Sequence, residues 1–235
     1  KLTANGADVI DVGAAASNPD ADPVPPREEI RRLAPIVDAL RARGVDISID
    51  SCAAETQAWA LSQGVGWLND IQGFPDPAAY ADIARSDARL IVMHNVALGQ
   101  ARRIDTDPST ILGQLFRFFD KRLDVLERAG IARRRLVVDP GMGFFLGTDP
   151  EVSLTVLRRL GEIKARYGLP VLVSVSRKSF VRNLADVSVD QAGPATLAAE
   201  LFAAAQGADY LRTHDVAALK HALAVWLALH RDRKP

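Results

Sequence analysis

The chain has 235 residues, 48% apolar and 25% charged, with 29 basic and 29 acidic side chains, so its formal net charge is zero. That balance excludes a general electrostatic attraction to nucleic acid or to an anionic membrane, and no apolar run approaches the ~20 residues of a spanning helix. The single cysteine, Cys52, excludes an internal disulfide, and with no signal peptide visible the chain reads as soluble and cytoplasmic.

Residues 1–6 look like the last turn of a helix, and an apolar run predicts the first strand at 8–12. Ile30, Leu33, Ile36, Val37 and Leu40 then recur at helical spacing and predict a helix over 27–43, closed by Gly44. Strands are predicted at 46–50, 67–71 and 90–94. A long helix follows over 108–128, with Ile111, Leu115, Phe118, Phe119, Leu123 and Leu126 on one face. The remaining strands are predicted at 136–139, 171–175 and 210–214, and a last helix at 216–230 carries Leu219, Leu223, Trp226, Leu227 and Leu229.

Strict alternation of strands and helices with continuously apolar strands predicts a parallel sheet. Without a linker or low-complexity segment, residues 1–235 are expected to form a single domain. Seven strands are one short of a (β/α)₈ TIM barrel. The expected fold is that barrel, with its first strand and most of its first helix belonging to the native protein outside these residues. A doubly wound open sheet is the alternative, and fits less well because no Gly-x-Gly-x-x-Gly follows a strand.

Each strand ends on polar chemistry: Asp11; Asp50; Asn69 and Asp70; His94 and Asn95; Asp139; Ser176-Arg177-Lys178; and Arg212 with His214. In a parallel barrel these ends open onto one face, where barrel enzymes carry their sites. The middle strands supply carboxylates and an amide, suited to a flat heterocycle. Cations gather on the last two strands, where phosphate sites commonly form and a guanidinium can fork onto phosphate oxygens. No Walker loop, zinc spacing or Gly-x-Ser-x-Gly elbow is present. Cys52 sits just after a strand with no base beside it, and is expected to be a buried filler rather than a nucleophile.

The motifs resemble those of the dihydropteroate synthase family along nearly the whole chain. They are Gly6-Ala7-Asp8-Val9-Ile10-Asp11-Val12-Gly13, Ser48-Ile49-Asp50-Ser51, Asn69-Asp70-Ile71, Val92-Met93-His94, Asp139-Pro140-Gly141-Met142-Gly143-Phe144, Ser176-Arg177-Lys178-Ser179-Phe180 and Arg212-Thr213-His214-Asp215. The resemblance implies condensation of 6-hydroxymethyl-7,8-dihydropterin diphosphate with 4-aminobenzoate, releasing pyrophosphate with Mg²⁺ present. It implies a homodimer, with the last helix a candidate contact. Asp139 and Asn69 would grip the pterin, with Asp50 below and Asp11 nearby. Lys178 would hold the ring, and Arg212 and His214 would bind the diphosphate. Phe144, Ser179, Ser17 and Pro19 would face the aminobenzoate. The Mg²⁺ ligands are left unassigned, because the family's contact lies partly in its first strand.

Departures from the family pattern cluster on the aminobenzoate side. The usual Gly-Gly-Glu-Ser-Thr-Arg-Pro-Gly loop reads Gly13-Ala14-Ala15-Ala16-Ser17-Asn18-Pro19-Asp20, and Phe145-Leu146-Gly147 replaces a lysine after Gly-Phe. Ser174 stands where a glycine is usual. These features resemble the sulfonamide-insensitive, plasmid-borne branch or a chromosomal relative of it. A pterin-dependent corrinoid methyltransferase and a non-catalytic pterin-binding paralogue are the competing expectations.

Overall fold

The computed structural model describes residues 1–16, 20–97 and 101–230. Five parallel strands follow one another in a single sheet: β1 (Val9–Gly13), β2 (Asp46–Asp50), β3 (Trp67–Asp70), β4 (Arg89–Met93) and β5 (Leu136–Asp139). A second parallel pair, β6 (Leu172–Val173) and β7 (Tyr210–Leu211), joins β5 through a bridge between Val138 and Val171. Sequential order with every pairing parallel, and helices in the connections, is the (β/α)-barrel plan. Among the described residues, β1 and β7 are the two edges of this arc.

The expected strands 171–175 and 210–214 are present, but their ladder is only two residues long. Arg212 N–H still reaches the Val173 carbonyl at 3.0 Å. Beyond that point Ser176 takes over, its Oγ accepting from the His214 N–H at 3.2 Å. A side chain thus replaces the backbone ladder where the two strand ends part.

Nine described helices surround the strands: α1 (Pro26–Arg41), α2 (Ala54–Ser62), α3 (Tyr80–Arg85), α4 (Ile111–Arg128), α5 (Pro150–Arg158), α6 (Leu160–Tyr167), α7 (Ser179–Ala185), α8 (Gly193–Ala205) and α9 (Val216–His230). α1 begins at a proline, which fits the first helical turn because its missing N–H would be unpaired there anyway. α4 starts later than expected, since Asp107 binds Ser109 N–H and its carbonyl accepts from Thr110, making a turn before the helix. Its Ile111, Leu115, Phe119, Leu123 and Leu126 face are buried against the sheet.

Inside the barrel, Val9, Trp67, Ile91, Val137, Leu172 and Tyr210 pack together as one apolar layer. Side chains alternate along a strand, so the residues two positions on share that inward face. They are Asp11, Asn69, Met93, Asp139, Ser174 and Arg212, joined from β2 by Asp50. The apolar floor therefore fixes which polar side chains point into the barrel mouth.

Candidate active site

A cavity of about 190 Å³ opens at the C-terminal ends of the strands, lined by polar Asp11, Asp50, Asp139, Lys178, Arg212 and His214. Its apolar walls are Ile71, Met93, Met142 and Phe145. Drug-sized sites run to roughly 300–1,000 Å³, so this one suits a single small ring system with the remainder of a ligand outside.

Arg212 organises the acids. Its Nε lies 3.0 Å from Asp11 Oδ2 and its Nη1 3.7 Å from Asp139 Oδ2. Burial opposes its charge, but Asp11, Asp139 and Asp50 together hold its pKa above the ordinary arginine value. Burial, reinforced by the Asp11 charge, pushes Asp50 up to about 7. Burial likewise raises Asp139, against the pull of Arg212, the Gly141 N–H and Lys178. Lys178 is lowered to about 8 by burial, opposed by Asp139, and its ammonium sits 4.6 Å from the centre of the Phe145 ring. His214 is lowered by burial and by the neighbouring Arg177 and Lys178 charges. Its Nδ1 is 2.9 Å from Ser176 Oγ.

Buried polar atoms normally have partners. Here Asn69 is fully buried with both amide atoms unpaired, and Asp139 Oδ2, Asp11 Oδ1 and Arg212 Nη2 are also buried without hydrogen-bond partners. These orphaned groups come from four different strand ends and include both donors and acceptors. Such a set stores binding capacity for a polar, planar ligand carrying an anion.

The Asp139 loop is built for this. Oδ1 of Asp139 accepts from the Gly141 N–H at 2.8 Å, which leaves Oδ2 for other use. Gly141 has φ +73, and a Cβ there would lie 2.5 Å from the His94 carbonyl oxygen. Only glycine lets the loop pass so close.

The structure separates the predicted residues into two groups. Asp11, Asp50, Asp139, Lys178, Arg212 and His214 meet around the cavity, with buried Asn69 on the same inward face. Phe144 packs instead beside Ile71, Met93, Ala101, Phe145 and Cys52, under the Arg103 guanidinium at 5.7 Å. Phe145, one residue later, is the one on the cavity wall. Ser179 opens α7 half-buried, next to Lys178 in sequence. Ser17 and Pro19 lie outside the described residues.

Two strand-end residues face away from the cavity. His94 is buried against Phe118 of α4, and burial lowers its pKa to about 4, with the Pro140 carbonyl opposing. Asp70 receives Gln57 Nε2 at 3.0 Å and the Gln72 N–H at 2.7 Å. Cys52 is half-buried rather than a fully buried filler, and its thiol pKa is raised by burial and by Asp70. Sequence reasoning missed the walls Ile71, Met93, Met142 and Phe145. The alternation that carries Asn69 and Ile91 inward carries Ile71 and Met93 as well, so the signal was present for two of the four.

The model of the pterin binding enzyme family matches residues 1–214. The Escherichia coli type-2 dihydropteroate synthase is 56% identical over 229 residues, covering 97% of this chain and 84% of that protein. The Synechocystis dihydropteroate synthase is 36% identical, covering 98% of this chain and 80% of that protein. Among solved structures, Xanthomonas albilineans dihydropteroate synthase with 4-aminobenzoic acid matches with TM-score 0.90 and 34% identity, over 99% of this chain and 82% of that one.

Proposed function

The chain belongs to the dihydropteroate synthase family, and from that premise we infer that its cavity joins 6-hydroxymethyl-7,8-dihydropterin diphosphate to 4-aminobenzoate, giving 7,8-dihydropteroate and pyrophosphate. The observation that carries this is the set of orphaned buried atoms on Asn69, Asp139, Asp11 and Arg212. Asp139 and Asn69 bind the aminopyrimidine edge of the pterin, with Asp50 beneath it, and Lys178 holds the ring. Arg212, through its free Nη2, and His214 stabilise the diphosphate as negative charge grows on it. The bond from the pterin methylene carbon to the diphosphate oxygen breaks first, its electron pair leaving with pyrophosphate. The amine of 4-aminobenzoate then attacks the pterin-stabilised cation and gives up a proton to the departing pyrophosphate or to water. No protein nucleophile is required. A methyl transfer to a corrinoid would leave the Lys178, Arg212 and His214 cluster without a role.

Mg²⁺ is bound through one or two carboxylates together with substrate phosphates rather than by an all-protein cage. The described residues form no cluster of three or more His, Cys, Asp or Glu suited to a metal. Asp11, with its buried unpaired Oδ1, fits the lesser requirement of an ion that arrives with the diphosphate. When bound, the ion would neutralise phosphate charge.

The aminobenzoate side supports sulfonamide insensitivity. Asp20 forms two hydrogen bonds with Arg103, at 2.7 and 2.9 Å, and Arg103 also covers Phe144. One arginine therefore ties the departing Asp20 to Phe144, the residue just before the departing Phe145. In a pyrophosphate-release assay on the full-length protein, release is expected only when both substrates are present. Sulfonamide is expected to inhibit no more than weakly at concentrations that stop an ordinary family member. Absence of release would remove the proposed activity, and ordinary inhibition would remove the remodelling account.

An assembly of two copies also fits the outer surface. An apolar groove between α5, α7 and α8 includes Phe202 and Leu184, which are 42% and 57% exposed. On α9, Val225, Leu227 and Leu229 are exposed too. Exposed apolar clusters of this kind mark interaction surfaces. Sedimentation equilibrium is expected to give twice the chain mass, and Phe202→Asp to shift it toward the monomer. No described helix is long and apolar enough to cross a membrane.

A further inference from the structure

Arg212 and His214 point into the cavity, so Thr213 between them points outward. There it faces Glu200 on α8, near enough for the Thr213 side chain to draw the Glu200 carboxyl pKa down. The same Thr213 Oγ1 accepts from the Asp215 N–H at 3.2 Å. Glu200 is 2% exposed, and its Oε1 has no hydrogen-bond partner. Burial pushes its carboxyl up to about 7, with the nearby Thr213 side chain opposing and the Asp215 charge adding to the rise. On a helix made largely of Ala, Leu and Phe, an apolar residue would fill this position without the cost of burying a carboxyl.

One helical turn earlier, Thr196 occupies the same face of α8. Its Oγ1 accepts the Arg177 N–H at 3.1 Å, and it is 6% exposed. Arg177 has φ +58, a left-handed conformation that a non-glycine residue keeps only when its surroundings hold it there. The next residue is Lys178. One face of α8 thus grips both strand ends that carry cations.

We propose that Glu200, with Thr196, is a positioning residue: α8 fixes from outside the barrel the two segments that aim Lys178, Arg212 and His214 at the diphosphate. This rests on the function inferred above. Thr213 is the lever, because rotating its backbone would swing Arg212 and His214 together.

The test uses the full-length enzyme with Glu200→Ala, Glu200→Gln and Thr213→Val, each checked for its fold by circular dichroism. Misplacement of charged groups by about 1 Å can cost on the order of a hundred-fold. The alanine and valine variants are therefore expected to lose roughly ten- to hundred-fold in kcat, while KM for 4-aminobenzoate changes by no more than about two-fold. Pyrophosphate binding, measured by calorimetry, should weaken in parallel. Glu200→Gln keeps an acceptor for the Thr213 hydroxyl and is expected to recover most of the loss.

Normal kcat in a folded Thr213→Val protein overturns the proposal, as does a Glu200→Gln variant as impaired as Glu200→Ala. If Glu200→Ala does not fold, Thr213→Val decides. Should the wild type release no pyrophosphate at all, the inferred reaction fails. Pyrophosphate binding by wild type against Thr213→Val still tests the positioning role separately.

Discussion

Replacing Asp139 by alanine is expected to weaken binding of the pterin substrate by about ten- to a hundred-fold, with little loss of thermal stability. A hydrogen bond to a charged group contributes roughly 1.5–3 kcal/mol, and about 1.4 kcal/mol is a factor of ten in affinity. Asp139 spends Oδ1 on the Gly141 N–H and keeps Oδ2 without a hydrogen bond in a site where it is 1% exposed. Its pairing with Arg212 is loose at 3.7 Å, and burial raises its pKa, so the carboxylate stabilises the free protein little and its removal costs little. Arg212 also keeps its nearer partner, Asp11 at 3.0 Å, when Asp139 is gone. Asparagine at this position keeps an oxygen for Gly141 but can present only an amide nitrogen where the ligand meets a carboxylate oxygen. Calorimetric titration with the pterin and a melting curve give the two numbers. Unchanged affinity would remove Asp139 from the ring site, and a large fall in melting temperature would recast it as a structural residue.

Much of this site is legible because a barrel interior is written with period two. Asp11, Asp50, Asn69, Asp139 and Arg212 fall at strand ends in the sequence, and the apolar layer beneath them forces them inward. Alternation also explains what a list of strand-end polar residues gets wrong. His94 and Asp70 sit one place out of phase with Met93 and Asn69, and each contacts neighbouring elements instead of facing the cavity. Phe144 and Phe145 could not be ordered from sequence. They lie in a 3₁₀ turn, Gly143–Phe145, where neither the strand nor the helix period applies. Glu200 was illegible for another reason. Its partner Thr213 comes from a different element, and a lone glutamate in an alanine-rich helix ordinarily reads as a solvent-facing residue.

Arg212→Ala is expected to lower turnover by about 10²–10³-fold, the scale seen when one donor to a developing negative charge is lost. Unlike Asp139→Ala, it is also expected to destabilise the fold. Arg212 is the cation facing Asp11, Asp50 and Asp139. Removing one partner of a buried ion pair costs roughly 3–5 kcal/mol, because the other charge stays buried and uncompensated. The acids can escape that cost only by taking up protons. Asp50 already titrates near 7 by burial and the Asp11 charge, with Arg212 holding it down. Without Arg212 its folded pKa, and that of Asp139, move further up. A carboxyl whose pKa is raised by folding binds more protons folded than unfolded. Stability then falls as pH rises from the unfolded value near 3.8 through the folded one. The melting temperature of Arg212→Ala is accordingly expected to drop more steeply than that of the wild type between about pH 5 and 8. Parallel pH profiles for the two proteins would show that the arginine does not hold the three acids together. Arg212→Lys separates charge from shape. A lysine preserves the cation and most of the stability, but cannot reach Asp11 and Asp139 while also offering the free Nη2 to a phosphate oxygen. It is expected to recover the melting profile and leave turnover low.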